Sequence, residues 1–110
     1  MQVTESQSTT RSSRLEKMIR LYESGQASNF MDRVLDKVFA QEAADTRNAI
    51  ARLDSDIALY ETQYEMSSEV FFREFKAGEL GDRMDFIEWS SLVMMRDDLY
   101  QRLKVLTGEE

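Results

Sequence analysis

The sequence predicts an all-α protein, built as a long helix and an antiparallel return helix in a helical hairpin or bundle, with two short helices. The first observation is that its 110 residues include no proline, so no position forbids a long helix. The second is that apolar or small side chains recur in steps of four and three over residues 39–64. The third is a similar repeat over residues 86–106. Such repeats are typical of helices that pack along one stripe.

The first predicted helix covers residues 13–23, and Gly25 follows as a plausible stop. Its apolar side chains have helical spacing: Leu15, Met18, Ile19 and Tyr22. Residues 1–12 are rich in Ser, Thr and Gln and contain no long apolar run, so we expect a disordered polar tail rather than a signal peptide. The predicted organisation is therefore a tail at 1–12 and a single all-helical domain at 13–110.

The second predicted helix is the longest and extends from about residue 28 to residue 65. Eight consecutive positions keep a coiled-coil-like alternation of four and three: Phe39, Ala43, Thr46, Ile50, Leu53, Ile57, Tyr60 and Tyr64. Chance rarely sustains this phase over four heptads. At 1.5 Å per residue the helix is roughly 57 Å long.

Two further helices follow, and each has a start signal. Ser67 is a favourable N-cap for a short helix over residues 68–77. Asp85, with Glu88 three residues later, has the spacing of a capping box for a fourth helix that ends near residue 106. Its apolar stripe is Trp89, Leu92, Leu99, Leu103 and Leu106. Arg96 interrupts this stripe, and its side chain either extends to the edge or pairs with Asp54 or Asp56 across the hairpin.

The fourth helix is too short to cover the whole second helix. At roughly 32 Å it reaches only the C-terminal half of its partner. The N-terminal half carries apolar side chains that lack an obvious cover, among them Met31, Leu35, Val38 and Phe39. An uncovered patch of this kind indicates a binding partner. We therefore predict self-association through these four residues, and a homodimer rather than a monomer.

The composition excludes several function classes. The chain contains no cysteine and no histidine, which removes disulfides, the usual zinc, haem and iron–sulfur ligands and the commonest general base. We therefore expect no cofactor, no metal site, no enzymatic activity and a cytoplasmic location. The net charge is −7, and an acidic surface disfavours nucleic acid and anionic membranes while it favours a basic protein partner. Charge that serves only solubility is the alternative.

The most site-like segment lies at the start of the fourth helix. Asp82, Asp85 and Glu88 recur every three residues but lack the oxygen spacing of a calcium loop, so helix capping explains them better than metal binding. Trp89 is either a core anchor or a residue of an interface. Phe72 is adjacent to Phe71 and points about 100° away from it on a helix, which leaves one of the two for a partner. The candidate partner-binding residues are therefore Phe72, Asp82, Asp85, Glu88 and Trp89.

From about residue 35 onward the chain resembles a family of small helical bacterial and archaeal proteins of type II toxin–antitoxin operons, the antitoxin partners of TumE-like toxins. The resemblance is carried by residues 35–38 (LDKV), 60–69 (YETQYEMSSE) with Phe72, 75–82 (FKAGELGD) and 85–89 (DFIEW). It covers about two thirds of the chain, and the last block is its most specific part. The resemblance implies a role in toxin binding.

The chain departs from the family's pattern in two places. Glu65 follows Tyr64 where the family pattern has glycine, and residues 1–30 have no counterpart. The sequence and the resemblance together predict an antitoxin-like module that captures and neutralises a small basic toxin. The alternative is a self-associating coiled-coil scaffold or adaptor. A DNA-binding repressor is disfavoured because only the first helix is basic and no helix-turn-helix spacing is present.

Overall fold

A computed structural model describes the backbone of residues 2–109 and the side chains of residues 10–109. This part of the chain forms four helices and no strand: α1 (Gln2–Glu23), α2 (Asn29–Tyr64), α3 (Ser68–Lys76) and α4 (Met84–Thr107). The all-α prediction is confirmed. The chain divides into two compact units, unit 1 (Met1–Lys37) and unit 2 (Val38–Glu110).

Helix α1 begins earlier than the sequence predicted. It starts at Gln2 instead of near Ser13, so the predicted start is wrong. No proline or glycine lies within α1, and serine, threonine and glutamine each cost only a few tenths of a kcal/mol in a helix. The predicted disorder of residues 1–12 stays a prediction, and the side chains of residues 1–9 lie outside the described residues.

In unit 1, a tight turn joins α1 to the first residues of α2. Gly25 has a φ of 72°, and the amide of Gln26 donates to the Leu21 carbonyl at 2.8 Å, which is the hydrogen bond of a Schellman motif. The Tyr22 hydroxyl donates to the Asp32 carboxylate at 2.7 Å and ties the two helices together. Of the predicted self-association residues, Met31 and Leu35 are partly buried here, where they line an open apolar cavity with Met18, Phe30 and Val34.

In unit 2, α4 runs antiparallel to α2, as the sequence predicted. Residues that come later in α4 contact residues that come earlier in α2. The contacting pairs are Tyr64–Asp85, Tyr60–Trp89, Asp54–Arg96 and Glu42–Arg102. Arg96 donates to Asp54 at 2.9 Å, so it pairs across the hairpin, which was one of the two outcomes left open.

The predicted stripe of α2 forms its packed side where α4 covers it. Ala43, Thr46, Ile50 and Ile57 are buried, and Leu53, Tyr60 and Tyr64 are partly buried. Phe39 and Val38 precede Glu42, the first residue of α2 that pairs with a side chain of α4. Both side chains are about half exposed. These two predicted self-association residues therefore remain open to solvent in the chain alone.

The start of α3 is capped as predicted, whereas the start of α4 is not. The Ser67 hydroxyl accepts from the Val70 amide at 3.2 Å, and the Glu61 carboxylate accepts from the Ser68 amide at 2.9 Å. Helix α4 begins at Met84, and the residue at its N-cap position, Arg83, makes no side-chain capping bond. The predicted capping box of Asp85 and Glu88 is wrong because the helix starts before Asp85, whose carboxylate binds a tyrosine instead.

Candidate partner-binding site

Trp89 lies at the centre of the core of unit 2. Its side chain is 0% exposed and stacks on Phe71 with ring centroids 3.7 Å apart. The indole Nε1 donates to the Ser68 hydroxyl at 2.9 Å, so the buried polar atom is paired as burial requires. Trp89 is therefore a core anchor, the first of its two predicted roles. A residue without exposed surface has no direct contact to offer a partner unless the core opens.

Asp85 and Glu88 are bound by two tyrosines of α2. The Tyr64 hydroxyl donates to Asp85 at 2.5 Å, and this hydrogen bond is the main reason that the pKa of Tyr64 is raised. The Tyr60 hydroxyl hydrogen-bonds to Glu88, which together with burial and the charge of Glu88 raises the pKa of Tyr60 to about 12. Asp85 thus fastens α4 to α2 inside the chain and is less available to a partner than the sequence suggested, whereas Glu88 is exposed beside Tyr60.

Asp82 and Arg83 lie in the exposed loop before α4. The Arg83 guanidinium covers the rings of Tyr64 and Phe86, at 5.6 Å and 5.5 Å from their centroids, and such cation–π contacts help to close this end of the core. Asp82 has no hydrogen bond or ion pair with another described residue. Of the three carboxylates predicted from the sequence, Asp82 is therefore the one that remains free on the surface.

Phe72 lies in a groove between α3 and α4. Phe71 is fully buried and its neighbour Phe72 is partly exposed, as the 100° angle between them predicted. The groove has a volume of about 360 Å³, and we call it the α3–α4 groove. It is lined by Phe72, Phe75 and Lys76 of α3 and by Ser90, Met94, Asp97 and Asp98 of α4. Its lining is mostly apolar, which suits a side chain that is removed from water on binding.

Two adjacent carboxylates border this groove. Asp97 and Asp98 are exposed, and among the described residues neither is part of a hydrogen bond or an ion pair. The single cation at the groove, Lys76, lies over the Phe72 ring at 5.2 Å. An apolar groove beside two unpaired carboxylates is complementary to a segment that carries an apolar side chain next to a basic one.

Asp97 and Asp98 were not among the residues predicted from the sequence, because the apolar stripe of α4 that contains Trp89 lies on the other side of the helix. A signal was present: Ser90, Met94 and Asp97 are spaced by four and three residues and therefore share one side of α4. What the sequence could not supply was the placement of α3 beside that side.

The outward surface of α4 includes several apolar side chains. Its exposed large apolar side chains are Met84, Ile87, Met94, Met95, Tyr100 and Val105. These apolar side chains alternate with exposed charged ones, among them Glu88, Asp97, Asp98 and Lys104. Exposed methionines are common at binding surfaces because their flexible side chains adapt to the partner.

The described part of the chain shows no candidate metal centre and no membrane-spanning helix. No three Asp or Glu side chains come together there in a way that could hold a metal ion. None of its helices combines the length and the apolar character that crossing a bilayer requires.

Comparisons with known proteins add no relative. No protein-family model matches the chain, no curated protein matches it, and no solved structure matches it. A function for this chain is therefore inferred from the geometry of unit 2 and from the sequence.

Proposed function

We propose that this chain is a non-catalytic interaction protein, an antitoxin-like module that captures a small basic toxin and neutralises it. The observation that carries the proposal is the α3–α4 groove, where the apolar Phe72 and Met94 lie beside the unpaired carboxylates Asp97 and Asp98. The resemblance described above supports the same role.

The charge distribution supports a basic partner. Unit 2 contains 8 basic and 16 acidic side chains, a net charge of −8, although the whole chain has a net charge of −7. The surface of unit 2 therefore attracts cations at long range, which raises the rate of association with a basic protein. Unit 1, with 6 basic and 5 acidic side chains, contributes little to this attraction.

The proposed mechanism divides affinity and orientation between two kinds of groups. A partner's apolar side chain enters the groove beside Phe72 and Met94, and its removal from water supplies most of the affinity. Asp97 and Asp98 bind basic side chains of the partner and fix its orientation. Neutralisation follows when the captured basic groups are those that the toxin needs for its own activity.

The test uses the product of a neighbouring gene that encodes a small basic protein. Co-expression with this chain should restore growth, and binding is measured by calorimetry at low and high salt. The double variant Asp97→Asn/Asp98→Asn should weaken binding strongly at low salt and less at high salt, since exposed charges are screened beyond about 8 Å at physiological ionic strength. Met94→Ser should weaken binding equally at both salt concentrations.

A matched control removes the same charge elsewhere in unit 2. Asp45 and Asp56 are exposed carboxylates of α2, and Asp45→Asn/Asp56→Asn should lower affinity clearly less than the groove variant. Equal effects of the two double variants would show that only net charge matters and that the groove is not the site. A neighbour that is neither toxic nor bound would refute the toxin-binding role itself.

A further inference from the structure

Unit 1 is a helix pair with an exposed apolar surface. Among the side chains described in this unit, residues 10–37, none is buried. Phe30 is 65% exposed and Leu15 is 58% exposed. Ile19, Tyr22 and Val34 are each exposed by more than two fifths. Two helices alone rarely bury enough apolar surface to be stable, and in proteins most helical stability comes from packing of an amphipathic face.

We propose that the unit 1 helix pair is a self-association surface that binds the same helix pair of a second copy of this chain, forming a four-helix bundle. The proposal does not depend on toxin capture, which we assign to the α3–α4 groove of unit 2. Three properties of the apolar surface of unit 1 indicate that its binding partner is a second copy of the chain.

The first property is area. Five large apolar side chains, each about half exposed, leave on the order of 500 Å² of apolar surface per copy. Two such surfaces meeting across a twofold axis bury on the order of 1,000 Å², which reaches the lower limit for a specific interface. The open cavity of unit 1, which is lined by apolar side chains only, adds a concave region that a side chain of the second copy can fill.

The second property is the arrangement of charge along each helix. At 100° per residue, the apolar stripe of α2 has Asp32 and Asp36 along one edge and Arg33 and Lys37 towards the other. A helix with one acidic and one basic edge is complementary to a second helix of the same kind, as at the flanking positions of coiled coils.

Helix α1 repeats this arrangement in part. Glu16 and Glu23 lie along one edge of its apolar stripe, and Arg14 lies along the other edge. Lys17 and Arg20 lie on the side away from the stripe. Because a twofold interface uses the same patch on both copies, a surface that carries both signs of charge in this order can pair with itself.

The third property is net charge. Unit 1 has a net charge of +1, whereas unit 2 has −8. Two copies of unit 1 therefore meet with little repulsion, while two copies of unit 2 repel each other. A strongly basic toxin gains no attraction from unit 1. Charge thus favours a second copy as the partner of unit 1 and a basic protein as the partner of unit 2.

The test is sedimentation equilibrium of the full chain alone at 1–100 µM, a range in which weak homodimers dissociate measurably. Two variants change exposed residues of the surface in ways that suit the helix: Phe30→Asp in the first turn of α2, and Ile19→Lys near the end of α1. Each should raise the dimer dissociation constant about tenfold to a hundredfold, which corresponds to the loss of one buried apolar side chain.

The matched control is Leu59→Lys. Leu59 is 71% exposed and lies on α2 within unit 2, so the change removes an exposed apolar side chain away from the proposed surface and should leave the dimer unchanged. Circular dichroism shows whether all three variants keep their helices. A monomeric wild type, or a dimer that Leu59→Lys weakens as much as Phe30→Asp does, would overturn the proposal.

Discussion

Glu65, the residue that follows α2, has a strained backbone conformation, and replacing it should stabilise the protein. Glu65 has a φ of 50°, in the left-handed region that side chains disfavour. The Met66 amide donates to the Glu61 carbonyl at 3.2 Å. Helix α3 ends with a hydrogen bond of the same type, in which the Glu79 amide donates to the Glu74 carbonyl five residues earlier. There the left-handed residue is a glycine, Gly78. We predict that Glu65→Gly raises the free energy of unfolding.

The magnitude follows from two opposing terms. The left-handed conformation costs a residue with a side chain about 1–2 kcal/mol. Glycine loses about 0.5–1 kcal/mol more conformational entropy on folding. Glu65 is exposed and has no hydrogen bond or ion pair with another described residue, so removal of its side chain costs little. The net gain is about 0.5–1 kcal/mol, which raises the melting temperature by roughly 2–8 °C in a domain of this size.

The assay is thermal unfolding followed by circular dichroism, with urea unfolding as an independent measure. Glu65→Ala is the control, because alanine removes the charge but keeps the Cβ that disfavours the left-handed region. It should give no gain. If Ala and Gly stabilise equally, the effect comes from charge and the argument from backbone conformation is refuted. A lower melting temperature for Glu65→Gly refutes it as well.

Three further perturbations test the core of unit 2. Ser68→Ala removes the partner of the buried Trp89 indole and should lower the free energy of unfolding by about 1–3 kcal/mol, measured by urea titration. Arg96→Met breaks the ion pair with Asp54, and its cost of up to about 1 kcal/mol should shrink in high salt. The hydrogen bond and burial raise the pKa of Tyr60 from 10.0 to about 12. The proton is therefore held more tightly in the folded state, and this contribution to stability is complete below pH 10 and is lost as the pH rises towards about 12. Tyr60→Phe should remove that part of the loss in an alkaline melting series.

The helices could be predicted because their signals are local. The spacing of apolar or small side chains from Ala43 to Ile57 determines which side of α2 is packed. The apolar side chains of α4, spaced by three and four residues, determine its inner side in the same way. Ser67 could be identified as a cap because an N-cap needs only its own side chain and an amide three residues later. In each case the determining contacts lie within one or two turns of helix.

The rest depends on contacts between helices, and these the sequence does not specify. Asp85 and Glu88 have the spacing of a cap, but Tyr64 and Tyr60 of α2 bind their carboxylates, and that competition appears only once the hairpin is formed. The α3–α4 groove likewise brings together Phe72 and Asp97, two residues that lie more than 20 positions apart in the sequence. Helix propensity also gives no sharp start for α1, because serine, threonine and glutamine neither favour a helix strongly nor end one.

Helix α4 shows why stability alone does not account for this sequence. Its inner side chains Trp89 and Val93 belong to the core cluster, and a helix that served only that core would be polar on its other side. Its other side carries charged side chains but also presents Met84, Ile87 and Met94 to solvent. Exposed apolar side chains add nothing to the folding of unit 2 and favour aggregation, so they need a different explanation, and coverage by a partner supplies one. The proposed function thus divides α4 into an inner side that stabilises unit 2 and an outer side that, with the adjoining groove, would bind the partner.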